Sequence, residues 1–366
     1  MPEFNPALEL NRRFYIECIR PALDKHFSTL YHAAALIGYG SEILGFDSTM
    51  SMDHNWFPRG YLFLSEENKN LIDSIKDMLS RELPHEFLGI PVNTVPVPDE
   101  PGTRWMKRES DGLVNHMVVP TTLQDFVLDN MGWDISKPLT SQDWLTFPSQ
   151  VLKSMTSGEV YFDNMGELTH LREFLSWYPL DVWLFLLASV WDRIGQEEHL
   201  MPRAGYAGDE LGSAIIGSRL IRDIMSLCFL MEKQYAPYPK WFGSGFKQLD
   251  CANEFSPTLW EAQLAKTWEQ REKALCNAYK LLVRKHNALG ITEPIPEQVS
   301  SFHGRPFQVI HGDIVAKAIA QKITNVDLKR ISARGLIGGI DQWSDNSELK
   351  SNIQHWRQKI RNIYEE

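Results

Sequence analysis

A change of pattern near residue 170 constrains the fold of this 366-residue chain more than any other feature. Before it, short apolar segments typical of strands alternate with helical segments, and residues 33–40 form one such strand that ends in Gly-Tyr-Gly. After it, apolar residues recur at helical spacing almost throughout, and the helices that we predict there include residues 180–195 and 259–289. We therefore predict an α+β domain over residues 1–170 and a mostly α-helical domain over residues 171–366.

Composition and charge exclude several classes of protein. Hydrophobic residues make up 43% and charged residues 23%, as in a globular protein with a packed core. The formal net charge of −10 argues against a generic nucleic-acid binder, and we expect no DNA partner. The sequence has no apolar leader and no apolar run long enough to cross a bilayer, which predicts a cytoplasmic protein with no membrane contact. The oligomeric state stays open.

One segment, residues 38–56, carries the predicted chemistry. A predicted strand runs into Gly40-Ser41, and eleven residues separate Ser41 from Asp53. Gly40 would let the backbone approach a triphosphate, and Ser41 would offer donors to it. Asp53 and Asn55, two positions apart on an extended strand, would face the same way and hold Mg²⁺ against the phosphates. We predict Asp53, Asn55 and Ser41 as catalytic residues, and the first two as metal ligands.

This segment resembles the signature of the nucleotidyltransferase superfamily, in which Gly-Ser follows an apolar strand and Asp-x-Asp or Asp-x-Glu comes later. More closely, Gly-Ser-Glu-x-Leu-Gly-Phe-Asp-x-x-x-Ser-x-Asp-His resembles an uncharacterised branch in which a nucleotidyltransferase-like domain precedes a helical domain of unknown function. The resemblance implies a mixed sheet with flanking helices, an NTP substrate and Mg²⁺ as cofactor. Similar runs continue downstream, at residues 203–205, 208–213, 235–241, 286–287, 302–307 and 339–342.

The resemblance and the residue chemistry together predict a set of substrate-binding residues. In nucleotidyltransferases with a trailing helical domain, that domain often donates cations to the phosphates, which makes Arg222 and Lys240 candidates. Tyr238 and Trp241 would stack a base or line a pocket, and core packing is an equal alternative. The full set is Gly40, Glu42, Asp47, His54, Arg203, Asp209, Glu210, Arg222, Tyr238, Lys240 and Trp241.

Two amides stand where this family pattern has carboxylates. Asn55 replaces the second acid of Asp-His-Asp-Trp, and Asn93, on a strand predicted over residues 90–97, occupies the expected third position. An amide oxygen ligates Mg²⁺ without contributing charge, so the site would bind metal more weakly and would lack its candidate general base.

Three hypotheses follow. The first is Mg²⁺-dependent nucleotidyl transfer from an NTP to an unknown acceptor, in a cleft between the domains. The second is a repurposed fold that transfers an aminoacyl group from charged tRNA, as in fungal arginine-containing cyclodipeptide synthases, to which we relate this branch without a shared motif. There Arg104, Lys107 and Arg108, or the basic C-terminal helix, would meet the tRNA. The third is a non-catalytic nucleotide-binding module.

Overall fold

The computed structural model describes residues 4–53, 55–100 and 102–365, and for Asp53 the backbone only. Its strands are β1 His32–Leu36, β2 Arg59–Leu64, β3 Glu86–Phe87, β4 Ile90–Pro91, β5 Thr94–Pro96, β6 Arg104–Met106, β7 Met117–Thr122, β8 Glu159–Asp163, β9 Ser300–Ser301 and β10 Gln308–Val309. Its α-helices are α1 Ala7–Phe14, α2 Arg20–His26, α3 Ile72–Glu82, α4 Leu123–Met131, α5 Ser141–Leu145, α6 Ser149–Thr156, α7 Glu167–Phe174, α8 Leu180–Glu197, α9 Leu200–Tyr206, α10 Glu210–Met231, α11 Pro239–Phe246, α12 Ala252–Leu264, α13 Trp268–Ala288, α14 Gly312–Ala320, α15 Val326–Arg334, α16 Ile340–Trp343, α17 Ser347–Ser351 and α18 Ile353–Arg361.

The chain divides into two compact units. Unit 1 comprises Met1–Pro138 and Val151–Ser176, and unit 2 comprises Leu139–Gln150 and Trp177–Glu366. Unit 1 holds the larger sheet and its helices, whereas unit 2 is built almost entirely of helices. The predicted α+β fold class is confirmed, and the domain boundary at residue 170 stays a prediction.

The sheet of unit 1 has four strands in the order β7-β2-β1-β8. β1 pairs antiparallel with both of its neighbours, while β2 and β7 run parallel, so the predicted mixed sheet is confirmed. Every residue of β1 is buried, which explains why small and aliphatic apolar side chains follow its first residue, His32. Helices α1 and α3 cover the sheet with a core that includes Phe14, Ile75 and Leu79.

The helical segment that contains Pro21 is not a regular α-helix throughout. A π-helical turn, Tyr15–Ile19, joins α1 to α2, and Pro21 lies in the first turn of α2. Proline has no N–H to donate and its ring crowds the carbonyl of the preceding turn. Because α2 begins at Arg20, after the wider π-helical turn, Pro21 lies in its first turn, where no backbone N–H is needed as a donor.

The strand predicted over residues 90–97 is wrong as a single element. It is divided into β4, which pairs with β3, and β5, which pairs with β6. Pro91 and Pro96 limit pairing on this segment because they donate no ladder hydrogen bond. Between the two strands, Asn93 turns its side chain to the backbone of Asn115.

Unit 2 packs long helices against one another. α8 and α14 approach so closely at Gly195 and Gly312 that a Cβ on Gly195 would lie 2.5 Å from the backbone nitrogen of Asp313. The single helix predicted over residues 259–289 is wrong: α12 ends at Leu264, and Thr267 starts α13 by accepting the backbone N–H of Gln270. Among the described ranges, none of the helices has both the length and the apolar character to span a membrane.

Candidate functional site

The Gly40-Ser41 segment follows β1 in a loop whose shape depends on glycine. Gly40 has φ +132°, and a Cβ there would lie 2.2 Å from a carboxylate oxygen of Glu42. The carbonyl of Ser41 accepts the backbone N–H of Leu44 and of Phe46, which closes the turn. Gly40 therefore accommodates the Glu42 side chain, and its predicted contact with a triphosphate stays a prediction.

Glu42 lies inside unit 1, opposite Arg59 at the start of β2. The exposed fractions of the Arg59 and Glu42 side chains are 6% and 8%, and the guanidinium forms an ion pair with the carboxylate. Arg59 also donates to the carbonyl of Tyr39 at 2.9 Å and stacks over its ring at 4.9 Å. Glu42 is thus the counter-ion of a buried arginine, and a contact with substrate stays a prediction.

Asp47 holds the beginning of α1. Its carboxylate accepts the backbone N–H of Ala7 at 2.8 Å, directly after Pro6, which precedes the helix. A carboxylate at this end of a helix satisfies an unpaired donor and interacts favourably with the helix dipole. This contact gives Asp47 a structural role in unit 1.

The extended strand predicted to carry Asp53 and Asn55 is absent from this segment. Thr49–Asp53 is a 3₁₀ helix, Asn55 has φ +52°, and β2 begins only at Arg59. Residues two positions apart share a face only on extended backbone, so the predicted strand is wrong and its spacing argument does not apply to these two residues. The side chain of Asp53, like the whole of His54, lies outside the described residues.

The two asparagines bind backbone. Asn55 Oδ1 accepts the N–H of Arg104 at 3.0 Å. Asn93 is 1% exposed, and its Oδ1 accepts the N–H of Asn115 at 2.5 Å. Within the described side chains, which exclude Asp53 and His54, no group of three or more His, Cys, Asp or Glu is placed to hold a metal ion. Asn55, the predicted metal ligand whose side chain is described, thus turns its oxygen to the backbone, and Mg²⁺ binding stays a prediction.

The candidates at the start of α10 also serve the helix. Asp209 precedes α10, and its carboxylate accepts the backbone N–H of Gly212 at 2.7 Å. Glu210 accepts the backbone N–H of Trp268 at 3.0 Å and lies near Arg271. Arg203 belongs to α9, on an exposed position. A carboxylate already caps this helix end, so the structure adds no support for the predicted anion contact.

A cavity of about 570 Å³ lies within unit 2. This volume is typical of small-molecule sites, which span roughly 300–1,000 Å³. Residues three or four positions apart share a helix face. Helices α8 and α10 each turn one such face toward the cavity. Those residues are Leu186, Val190 and Arg193 on α8, and Arg222, Ser226, Phe229 and Leu230 on α10.

An aromatic cluster, defined here as Trp144, Trp177, Tyr178 and Tyr235, forms one wall of the cavity. The ring centroids of Trp177 and Tyr235 are 4.9 Å apart, and those of Tyr178 and Tyr235 are 5.1 Å apart. Burial raises the pKa of Tyr178 and of Tyr235, so both phenols stay neutral. The cluster offers ring faces and edges to a flat apolar molecule.

Charged residues lie on the same cavity in pairs. Arg193 binds the buried Asp223 through Nε at 2.9 Å, and burial raises the pKa of Asp223 although the arginine opposes this effect. Lys350 lies 2.6 Å from Asp341. A third pair joins Arg222 to Asp345. The lining is therefore amphipathic, with every one of these charges neutralised by a neighbour.

Arg222 is the predicted substrate residue that the structure places on this cavity. The candidates Tyr238, Lys240 and Trp241 are not among its lining residues, although their neighbours Tyr235, Pro237 and Pro239 are. They contact one another instead: Trp241 Nε1 donates to the Tyr238 hydroxyl at 2.9 Å, and Lys240 lies over the Trp241 ring.

Sequence reasoning missed Arg193 and Trp177, which line the cavity. Arg193 gave a signal, because it lies in α8 three residues after the end of the apolar run 182–190 and on the same face as Val190 and Leu186. Trp177-Tyr178, directly before α8, gave a second one as an aromatic pair beside a helix start. Neither pattern indicates which residues lie opposite Arg193 and Trp177, because those residues come from other parts of unit 2.

Comparisons with known proteins give a matching family model and a similar solved structure. The model of a family described as a domain of unknown function, DUF4037, matches residues 144–242. This range contains all the cavity-lining residues except those of segment 339–350. The crystal structure of a nucleotidyltransferase-like protein from Exiguobacterium sibiricum is similar at 12% identity, over 81% of this chain and 82% of that one, with a TM-score of 0.33. No protein of curated function matches the sequence.

Proposed function

We propose that this protein is a repurposed nucleotidyltransferase-like transferase that does not carry out Mg²⁺-dependent nucleotidyl transfer and that binds a small-molecule substrate in the cavity of unit 2. The observation that carries the proposal is the use of Asn55 and Asn93. Both amide oxygens accept a backbone N–H, so the positions that resemble metal ligands serve the fold.

The location of the cavity supports the second part of the proposal. It combines an aromatic wall with paired charges, which is the usual make-up of a site for a small amphipathic molecule. The matched family range contains most of its lining, so the segment that this chain shares with the family is the segment that builds the cavity.

Nucleotidyl transfer from an NTP is the second candidate, and the Gly40-Ser41 loop after a buried strand favours it. Its metal would depend on Asp53, with neutral oxygens as further ligands. Such a site has less negative charge than a carboxylate triad, and divalent cations depend on that charge. This candidate requires Mg²⁺, whereas the proposed function does not.

Aminoacyl transfer from tRNA remains a specific form of the repurposed fold. The cations predicted to contact tRNA have internal partners: Arg104 Nε donates to Thr94 Oγ1 at 2.8 Å, and Arg108 pairs with Glu86. Lys107 is likewise paired with an acid. These pairs reduce the positive surface that a phosphate backbone requires, so the structure adds no support for this form.

Pyrophosphate release distinguishes the candidates. Purified protein is incubated with each NTP, Mg²⁺ and a cell extract that supplies acceptors and tRNA, and pyrophosphate is compared with that of Asp53→Asn, which keeps the side-chain shape. We expect equal, background release from both proteins. Mg²⁺-dependent release that falls to background in the variant would overturn the proposal and establish nucleotidyl transfer.

A parallel assay follows the aminoacyl group. Radiolabelled aminoacyl-tRNA is offered to the protein with and without EDTA, and low-molecular-weight products are separated. A product that forms in the presence of EDTA would identify aminoacyl transfer as the reaction, because metal-dependent chemistry stops under these conditions.

A further inference from the structure

Three ion pairs lie on the cavity of unit 2, and they differ in how firmly each is held. Asp223, the partner of Arg193, is 2% exposed. Lys350 and Asp341 are 10% and 29% exposed, and Asp341 also accepts the backbone N–H of Ser149 at 2.6 Å. The side chains of Arg222 and Asp345 are 41% and 70% exposed. The last pair is the weakest, because exposed ion pairs contribute little.

Asp345 is therefore the carboxylate that a ligand can replace. It lies between α16 and α17, and water can solvate it once it leaves Arg222. Its departure would leave the guanidinium of Arg222 with donors directed at the cavity. A guanidinium offers two parallel donors, which suit a carboxylate, sulfonate or phosphate group.

The aromatic cluster supplies the rest of the binding surface. Trp177 Nε1 is buried and has no hydrogen-bond partner among the residues that the structure describes. A buried donor without an acceptor is unfavourable, so a bound molecule with an acceptor atom would stabilise this group. The four rings provide stacking and edge contacts for a planar body.

We propose that this cavity binds a planar aromatic molecule that carries an anionic group, and that Asp345 occupies the place of that anion at Arg222 in the unliganded chain. The inference rests on the proposed function, because that function makes the cavity the substrate site. It adds the ligand class and a residue that competes with the ligand.

The test uses two fluorescent probes that differ by one charged group. 8-Anilinonaphthalene-1-sulfonate carries a sulfonate, and N-phenyl-1-naphthylamine has the same rings without it. Binding of each is titrated to the full chain and to three variants: Arg222→Gln, Asp345→Asn and Arg219→Gln. Arg219 lies on the same helix, pairs with Glu197 and does not line the cavity, so it controls for the loss of one positive charge.

We expect Arg222→Gln to weaken the sulfonate probe about tenfold, the loss typical of a charged hydrogen bond, and to leave the neutral probe unchanged. Asp345→Asn should strengthen the sulfonate probe about two- to fivefold, because an exposed pair of this kind no longer competes. Arg219→Gln should match the wild type, and the neutral probe should bind with lower affinity than the sulfonate.

Equal loss in Arg222→Gln and Arg219→Gln, or equal affinity for the two probes, would overturn the inference. Failure of both probes to bind would also overturn it. These outcomes are separate from the pyrophosphate assay: metal-dependent release would refute the proposed function and leave the role of Arg222 in binding to be read from the titrations.

Discussion

The buried pair of Glu42 and Arg59 gives the sharpest test of how the Gly-Ser loop is used. Glu42→Gln keeps the size and one acceptor of the side chain and removes its charge. If Glu42 exists to balance Arg59, the variant loses stability in unit 1. If Glu42 exists to bind a substrate, the fold should tolerate the change.

The magnitude follows from burial. Both side chains are less than a tenth exposed, so water cannot replace the lost charge. Removing one partner of a buried ion pair costs about 3–5 kcal/mol, because an uncompensated charge remains. The introduced amide would still accept one hydrogen bond from Arg59, and the Tyr39 carbonyl would accept another, so we expect the lower end, about 3 kcal/mol. That corresponds to about a hundredfold change in an equilibrium constant.

Hydrogen exchange read by peptide mass spectrometry measures this locally. Peptides that cover β1 and β2 should exchange about a hundredfold faster in Glu42→Gln. Glu17→Gln breaks the exposed pair with Arg13 and should leave the same peptides unchanged. The double variant Glu42→Leu, Arg59→Met should recover most of the protection, because it leaves no buried charge. Wild-type protection in Glu42→Gln, or a double variant as unprotected as the single one, would refute the reasoning.

Three further predictions concern other parts of the chain. Asn55→Asp restores a carboxylate to the segment. We expect Mg²⁺-dependent pyrophosphate release to stay at background, since Asn93 still lacks charge. Release in this variant alone would identify Asn55 as the residue that prevents nucleotidyl transfer in the wild type. Burial raises the pKa of Glu198 to about 7, so its protonated form stabilises the folded protein by about 3 kcal/mol. This contribution is complete below pH 4.5 and is lost as the pH rises through 7. Tm measured against pH should therefore fall over this range in the wild type and not in Glu198→Gln. Gly195→Ala would press a methyl group on backbone of α14 and should cost about 1–3 kcal/mol in urea unfolding, whereas Gly243→Ala, with no atom within 4 Å of its Cβ, should be neutral or stabilising.

The elements that the sequence predicted well are those that local pattern determines. β1 lies almost wholly within the segment predicted as a strand over residues 33–40, and all of it is buried. α8 contains the apolar run 182–190, and every residue of that run is buried. In each case the signal lies within the element, so no distant residue is needed to read it.

The two wrong elements have different causes, one distant in sequence and one local. The strand predicted over residues 90–97 is interrupted because Asn93 is held by the backbone of Asn115, a partner 22 positions away. The helix predicted over residues 259–289 is divided by a cap at Thr267, whose side chain accepts the backbone N–H of Gln270 and so begins a new helix.

The candidate site shows the same limit. Arg222 is a candidate through the family resemblance and lies on the cavity, but the resemblance assigns it to phosphates and not to a pair with Asp345. Arg193 and Asp223 face each other from two helices 30 positions apart, and a charge inside an apolar helix does not reveal its partner. A cavity is a property of packed elements, so it had no counterpart in the sequence.

The two asparagines argue for repurposing through their nitrogen atoms as well as their oxygens. Asn55 Nδ2 points at the Gly102 carbonyl at 3.4 Å, and Asn93 Nδ2 lies 3.2 Å from His85 Nδ1. A carboxylate has no N–H to donate to the Gly102 carbonyl, so aspartate would lose that contact at position 55, whereas the direction of the contact between Asn93 and His85 depends on the imidazole tautomer. Asn55 also has φ +52°, a backbone conformation in which asparagine is among the best tolerated residues. Amide side chains therefore match these places better than the acids of the family pattern do.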